Sequence, residues 1–595
     1  MIQNIAENVT TIDEEMEMLG KKMVQRCPGL PLAIILLGGL LATKQSSKEW
    51  ERVYQNIDWY KSRLEYSRLQ EVIDFSYRDL PYRLKQCYLF LGNFPENSEI
   101  KAKKLYHLWI AEGIISKTGL AEGETMMAKA EHYLGELAQR GIVQVRLKKY
   151  CHTKRFKSCQ LHNKMRGLCL SNVKRENFLE VIDFRHGNIP AASSSSYSSS
   201  KIRRLAIYLD NEINKPLPRA KENCTHLRSV LFFHSYFGSY WKKMVKFSDF
   251  NLLRILDLEG FDFVEEELPK EIGNLTSLRY MSLRDCKIKT LPSFIGNLRY
   301  LQILDLRVKH VDHLYVPNVL LEMEDLRHLY LPTSLNSELN DLQLNGLSNL
   351  ETLVNFDCCV CHVKDLSRLS NLRMLKAIIS GNPNAIGGLL KEITQQNLCF
   401  SLAIYNCSFS SDENTLLGEL LGCRHLYKLE MRGKISGLLE NFQSCTSLTK
   451  LTLSYSELEH DPMPILEKLS LRRLILSIES FSGTDMVCST GGFSQLESLV
   501  LKGLRNLENW EVREKAMPKL SHLRISGSEN LTMIPDGLRY VTTLQELEIF
   551  WMPQAFVNRL RDNLDKVSGV PVIKFHNTII DSQVCCTSSL SYYIY

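Results

Sequence analysis

The stretch QLHNKMRGLCL, residues 160–170, gathers side chains that could do chemistry at a helix boundary. Asn163 stands where a short polar side chain can cap the turn that follows, and Leu161, Met165, Leu168 and Cys169 recur behind it at helical spacing. His162 is pressed between a basic run and that apolar stripe, and the residue types alone leave it a boundary histidine. Elsewhere reactive groups are sparse. Cys358, Cys359 and Cys361 cluster, but no second pair answers them at the spacing of a zinc finger, so no metal site is read. No Ser/His/Asp or Cys/His set has support, and His425, His460 and His522 read as surface positions, so the chain is not read as an enzyme. A phosphate-gripping Gly-x-x-x-x-Gly-Lys-Ser/Thr loop is absent: the Gly-Lys pairs are Gly20-Lys21 and Gly433-Lys434, and neither precedes Ser or Thr.

The elements that must position these residues come in two grammars. Residues 1–175 read as helical. Glu14 to Arg26 is amphipathic, with Met16, Leu19, Met23 and Val24 on one face. Pro28 and Pro31 frame the start of the next helix. Residues 70–95 read as two helices broken at Pro81, with Asp79 as cap of the second. Residues 103–115 are a third, ending near Gly113, and Glu122 to Gln139 a fourth. A strand-like GIVQVRL and a basic turn with Lys148, Lys149, Lys154, Arg155 and Lys157 complete the outline of a winged helix-turn-helix. AASSSSYSSS, residues 191–200, has no apolar area to bury and reads as a linker.

After Lys201 the pattern L-x-x-L-x-L recurs. Its first apolar position falls at Ile202, Leu227, Leu253, Leu278, Leu301, Leu326, Leu350 and Leu372, and again at Leu426, Leu448, Leu471, Leu496, Leu520 and Leu544. A degenerate unit around NLCFSLAIYNC fills the gap between Leu372 and Leu426, giving about fifteen repeats. One unit buries too little apolar surface to hold itself. Stacked units share a leucine core and line up their strands in one parallel sheet, a leucine-rich-repeat solenoid.

Bulk properties agree with an intracellular chain. The net charge of +6 on 595 residues does not by itself point to nucleic acid. Seventeen scattered cysteines read as free thiols in a reducing compartment. The most apolar run, GLPLAIILLGGLLA, is 14 residues long against roughly 20 needed to span a bilayer, so it reads as a buried helix.

Both halves resemble one family, the plant nucleotide-binding leucine-rich-repeat (NB-ARC LRR) disease resistance proteins, most nearly their coiled-coil class. CPGLPLAIILLGGLLATKQSSKEWERV is similar to the family's GLPL motif and the helices after it. LPYRLKQCYLFLGNFPENSEIKAKKLYHLWIAEGII is similar to its winged-helix segment, and QLHNKMRGLCL occupies the place of its Met-His-Asp motif. The resemblance implies a multidomain chain, α then α/β. Residues 1–62 would be the C-terminal helical part of the NB-ARC module and 63–175 the winged helix. A Ser-rich linker over 176–201, repeats over 202–575 and a tail over 576–595 would follow. The chain would begin inside the nucleotide-binding module.

Carried over residue by residue, the resemblance makes His162 an ADP-phosphate contact and Pro31 an adenine contact; without the phosphate loop, ADP or ATP would not be bound tightly. Leu161, His162 and Asn163 would form the switch motif, with Asn163 in place of the family's Asp. The implied function is that of a cytoplasmic or nuclear immune receptor, or a fragment of one. Its repeats would recognise a pathogen effector or a guarded host protein, and its winged helix would relay a defence response. The partner-facing side chains flank the strand leucines: Tyr280, Ser282, Arg284, Asp305, Arg307, His328, Tyr330, Lys428, Glu430, Arg432, His522 and Arg524. The alternatives are a winged helix that binds nucleic acid through its basic turn, and a decoy with no signalling of its own.

Overall fold

The computed structural model describes residues 12–27, 29–57, 65–148, 155–185, 202–209, 226–234, 247–263, 267–309, 314–335, 342–382, 385–393, 398–405, 411–435, 441–442, 445 and 447–576. The chain divides into two compact units, 1–334 and 335–595. The Ser-rich stretch, Pro28, the hairpin tip with Lys149 and Lys154, and residues 577–595 lie outside the described residues.

The first unit opens with helices α1 (Glu14–Gln25), α2 (Pro31–Leu41) and α3 (Ser47–Asn56). Asp13 caps α1 by accepting the Met16 amide at 2.7 Å, and Glu14, Glu15 and Glu17 complement its positive end. Met16, Leu19 and Met23 face the core as expected; Val24 does not, and is exposed. Pro31 starts α2, where its missing N–H costs nothing. Gly39 lets α2 meet the following module closely. A Cβ there would stand 2.4 Å from the Arg140 carbonyl carbon, so no larger residue fits without movement.

Helices α4 (Glu65–Arg78) and α5 (Tyr82–Phe90) break at Pro81 as expected. Asp79 does not cap α5. Its carboxylate is instead held by Lys44 at 2.7 Å and Arg140 at 3.0 Å. Strand β1 (Ile100–Lys101) leads into α6 (Ala102–Glu112), which stops where Gly113 turns left-handed with φ of 90°. Helix α7 (Met126–Gln139) starts later than expected, at the Thr125 cap, because Gly123 adopts φ of 77° just before it. Strands β2 (Val143–Leu147) and β3 (Phe156–Leu161) form an antiparallel hairpin, and β1 pairs with β3. Helix α8 (Asn163–Arg175) follows. This is the winged-helix outline read from the sequence.

The repeat sheet of the first unit begins inside the span expected as linker. Strand β4 (Glu180–Asp183) pairs in parallel with β5 (Arg204–Leu209). Then β6 (Ser229–His234), β7 (Ile255–Asp257), β8 (Tyr280–Ser282), β9 (Ile303–Asp305) and β10 (His328–Tyr330) add in sequence order, all parallel. The second unit continues the same pattern with β11 (Thr352–Asp357), β12 (Met374–Ser380), β13 (Cys399–Tyr405), β14 (Leu426–Arg432), β15 (Lys450–Ser454) and β16 (Arg473–Ser477). Strand β17 (Asp485–Cys488) leaves the main sheet to pair with β19 (Asn509–Val512). The main sheet runs on through β18 (Ser498–Lys502), β20 (His522–Ser526), β21 (Glu546–Phe550) and β22 (Val572–His576). The first leucine of each unit from Leu227 to Leu544 is buried, and Leu398 fills the degenerate repeat; Ile202 is only half-buried.

Candidate functional site

Helix α8 carries the motif. Its cap is His162, not Asn163. The imidazole Nδ1 accepts the Lys164 amide at 3.2 Å, while Asn163 is the first helical residue and is exposed. Sequence reasoning favoured Asn163 because asparagine is the commoner cap. It misplaced the boundary by one residue, since β3 runs through buried Leu161 and leaves His162 extended, with φ of −64° and ψ of 142°. Accepting that amide uses Nδ1 and leaves Nε2 to point elsewhere. Pro31 is exposed at the start of α2 and offers only an apolar face.

The buried side of α8 is tied down on two sides. Tyr88 donates its hydroxyl to the Met165 carbonyl at 2.6 Å. Arg166 donates to the Phe94 carbonyl and to the Tyr208 hydroxyl, each at 3.0 Å, which links the motif helix to β5 of the repeats. Arg166 carries no signal in the repeat pattern, and the sequence reading missed it.

A second attachment is larger. Helix α6 lies against β7 and β8 of the same unit. The Lys104 ammonium sits 2.5 Å from Asp257 and 2.6 Å from Glu259. Glu112 stands 2.8 Å from an Arg204 nitrogen, a buried ion pair. Arg254 donates to the Glu112 carbonyl at 3.0 Å, as befits a cation at a helix C-terminus. His107 stacks on His328 with ring centres 4.8 Å apart and reaches within 3.4 Å of the Tyr330 hydroxyl.

Burial governs the charges here. It would lower the Lys104 ammonium, but Asp257 and Glu259 outweigh it and hold the group above its ordinary range. Burial raises the Glu112 carboxyl, against the pull of Arg204 and Arg254. Burial, with nearby Lys103 and Arg327, lowers His328 to about 3. Burial, with His328, Lys103 and Arg307, takes His107 well below its usual range. Both imidazoles are neutral at neutral pH.

This attachment changes the expected recognition face. Tyr280, Ser282, Asp305, His328 and Tyr330 are buried, and Arg284 and Arg307 half-buried. They do flank the strand leucines, yet in this arrangement their face is not open to a partner, since α6 packs on it. Arg307 pairs with Asp305 and lies over the Tyr330 ring. Periodicity tells which side of a sheet a residue occupies, not what lies upon that side. In the second unit, Arg432 and Arg524 are exposed and Lys428, Glu430 and His522 half-buried. Lys428 pairs with Glu430 at 3.1 Å, Arg524 with Glu548 at 3.0 Å and His522 with Glu546 at 3.2 Å. His425 and His460 are exposed. Cys358 and Cys361 are buried and Cys359 is exposed, none of the three in a disulfide. Among the described residues no group of His, Cys, Asp or Glu could hold a metal, and no helix is long and apolar enough to cross a membrane.

Comparison with known proteins fits this geometry. Residues 94–169 match the family model of the disease resistance protein winged helix domain, and residues 226–551 match that of the leucine-rich repeat region. Disease resistance protein RPP8 of Arabidopsis thaliana is 37% identical over 590 residues, covering 96% of this chain and 62% of its own length. Probable disease resistance RPP8-like protein 2 of the same plant is 38% identical, covering 94% and 62%. The chain thus spans just over three fifths of the length of these relatives. A solved Leptospira interrogans leucine-rich-repeat protein overlaps 62% of this chain and 94% of its own, at 18% identity and a TM-score of 0.37; the fold assignment rests on the strand register instead. With a winged helix and parallel repeats in this order, the chain belongs to the leucine-rich-repeat disease resistance proteins of plants.

Proposed function

We propose that this chain acts as an intracellular immune receptor, or as the sensing and relaying portion of one, in the cytoplasm or nucleus. Its repeats recognise a pathogen effector or a guarded host protein, and its winged helix passes the event on. The observation that carries this reading is the docking of α6 on the first repeats through Lys104, Glu112 and His107. A winged helix clamped by buried ion pairs to a repeat sheet is a two-state element, which a partner can bias by favouring the open or the closed form. The chain needs no catalytic role in this scheme.

The residues expected to meet ADP do not amount to a nucleotide site on their own. His162 spends Nδ1 on its own helix, Pro31 has no donor, and the sequence has no phosphate-cradling loop. Nucleotide binding by these 595 residues is therefore weak, and calorimetry with ADP or ATP should show no micromolar affinity.

The nucleic-acid reading has less behind it. The helix before the hairpin, α7, carries Glu131 and Glu136 alongside Lys129. Plants lacking this gene product test the receptor reading. Raised growth of at least one pathogen isolate is expected, and unchanged growth across a broad panel would oppose it.

A further inference from the structure

We infer that the strand face of the second unit, from β12 to β18, is a docking surface for an acidic segment of a protein partner. This rests on the reading of the repeats as a recognition domain and names the chemistry they would recognise.

The parallel register sets Lys376, Ser401, Lys428, Lys450, Arg473 and Ser498 side by side on successive strands. Four of the six are cations. Strands lie about 4.8 Å apart, so Lys428, Lys450 and Arg473 fall within about 10 Å, roughly one screening length in dilute salt. Like charges directly opposite one another weaken a sheet. Arg432, two rows along on the same face, adds to the same field, and its guanidinium is held over the Tyr455 ring at 4.9 Å. The acidic member of these rows in β12 to β18 is Glu430, which pairs with Lys428 and accepts the Tyr405 hydroxyl at 3.2 Å. A face so built focuses a positive potential and steers anionic partners to it.

The neighbouring positions favour a polypeptide over a nucleic acid. The row beside the cations holds Ala403, Glu430, Thr452, Ile475 and Val500. Half-buried Ile475 and Val500 suit an aliphatic side chain, and Glu430 interrupts any phosphate track. Further along, Glu546 and Glu548 enter the face, already matched by His522, Arg524 and Lys574. A uniform polyanion would be repelled there, whereas a protein can present both signs.

The test uses the full chain and fluorescence anisotropy with a labelled 20-residue peptide of Glu and Asp spaced by Leu and Tyr. Single-stranded and duplex oligonucleotides of matching charge serve as competing probes. Lys428→Glu/Lys450→Glu/Arg473→Glu should weaken peptide binding by about 30-fold or more, and raised salt should weaken it in the wild type. Lys428→Arg/Lys450→Arg/Arg473→Lys keeps charge and fold and should bind as the wild type does. Lys468→Glu/Lys519→Glu, off these strands, should change affinity less than about threefold. The inference is overturned if the wild type does not bind the peptide, if the off-strand variant loses as much as the strand variant, or if an oligonucleotide binds more tightly. Peptide binding with no pathogen phenotype in plants would sink the receptor reading alone. A phenotype without peptide binding would sink this surface alone.

Discussion

Replacing Lys104 by methionine keeps the length of the side chain and removes its charge. Asp257 then loses its partner while its carboxylate stays 2% exposed. Glu259 is less affected, because Arg284 stands 3.5 Å away and a quarter of its side chain meets solvent. Breaking a buried pair by deleting one partner costs about 3–5 kcal/mol. With one of the two carboxylates compensated, the low end applies. Opening of α6 from the repeats should become easier by about 3 kcal/mol, roughly a hundredfold in its equilibrium. Native-state hydrogen exchange of the Leu105–Glu112 amides at pH 7 reads that opening directly. The double variant Lys104→Met/Asp257→Leu removes both buried charges and should recover to within about 1 kcal/mol of the wild type. A single variant that shifts opening by less than about 0.5 kcal/mol, or a double variant no better than the single, would refute the reasoning.

Docking should also depend on pH through the stacked His107 and His328. Both are neutral when buried and return to an ordinary value near 6.5 when α6 opens. Docking is thus at full strength above about pH 6.5 and weakens as pH falls towards 3, by about 2 kcal/mol at pH 5 through His328, with His107 acting in the same direction. The Glu112 carboxyl, raised by burial, works in the opposite direction, while Lys103, Arg307 and Arg327 oppose the imidazolium forms. His107→Gln/His328→Gln should flatten the exchange-detected dependence between pH 6.5 and 5; an unchanged slope would count against it. Gly39→Ala brings a Cβ onto the Arg140 backbone and should lower stability by about 1–3 kcal/mol in thermal or denaturant unfolding. Asn163→Asp places an anion at the exposed N-terminus of α8, so it should raise stability by about 0.3–1 kcal/mol.

The repeat core was legible because each leucine obeys one local rule, and the buried series from Leu227 to Leu544 follows it. Helix ends were legible where a single residue decides them, as Gly113 does for α6. They were misread where two adjacent residues compete, as His162 and Asn163 do at α8. The residues that attach α6 to the repeats were not legible. Lys104 and Asp257 are 153 positions apart, and nothing in a periodic pattern links a lysine in a helix to an aspartate in a strand. Arg204 likewise looked like an ordinary strand residue, and His328 like a partner-facing one, whereas both are buried. Their role depends on which helix covers them, and that is a tertiary fact. The row of Lys376, Lys428, Lys450 and Arg473 was half-visible. Only Lys428 stood out in one dimension, because repeat lengths vary and the register had to be seen before the four fell in line.

The central claim is that docking of α6 restrains a defence relay. Leaf expression tests it most directly, with this chain supplied alone and together with the portion of an Arabidopsis relative that it does not match. Wild type should give no cell death alone and none in the pair without a pathogen. Lys104→Glu, which sets a third carboxylate against Asp257 and Glu259, should give cell death in the pair. Cell death from the wild type by itself, or a Lys104→Glu pair that accumulates normally and stays silent, would contradict the account.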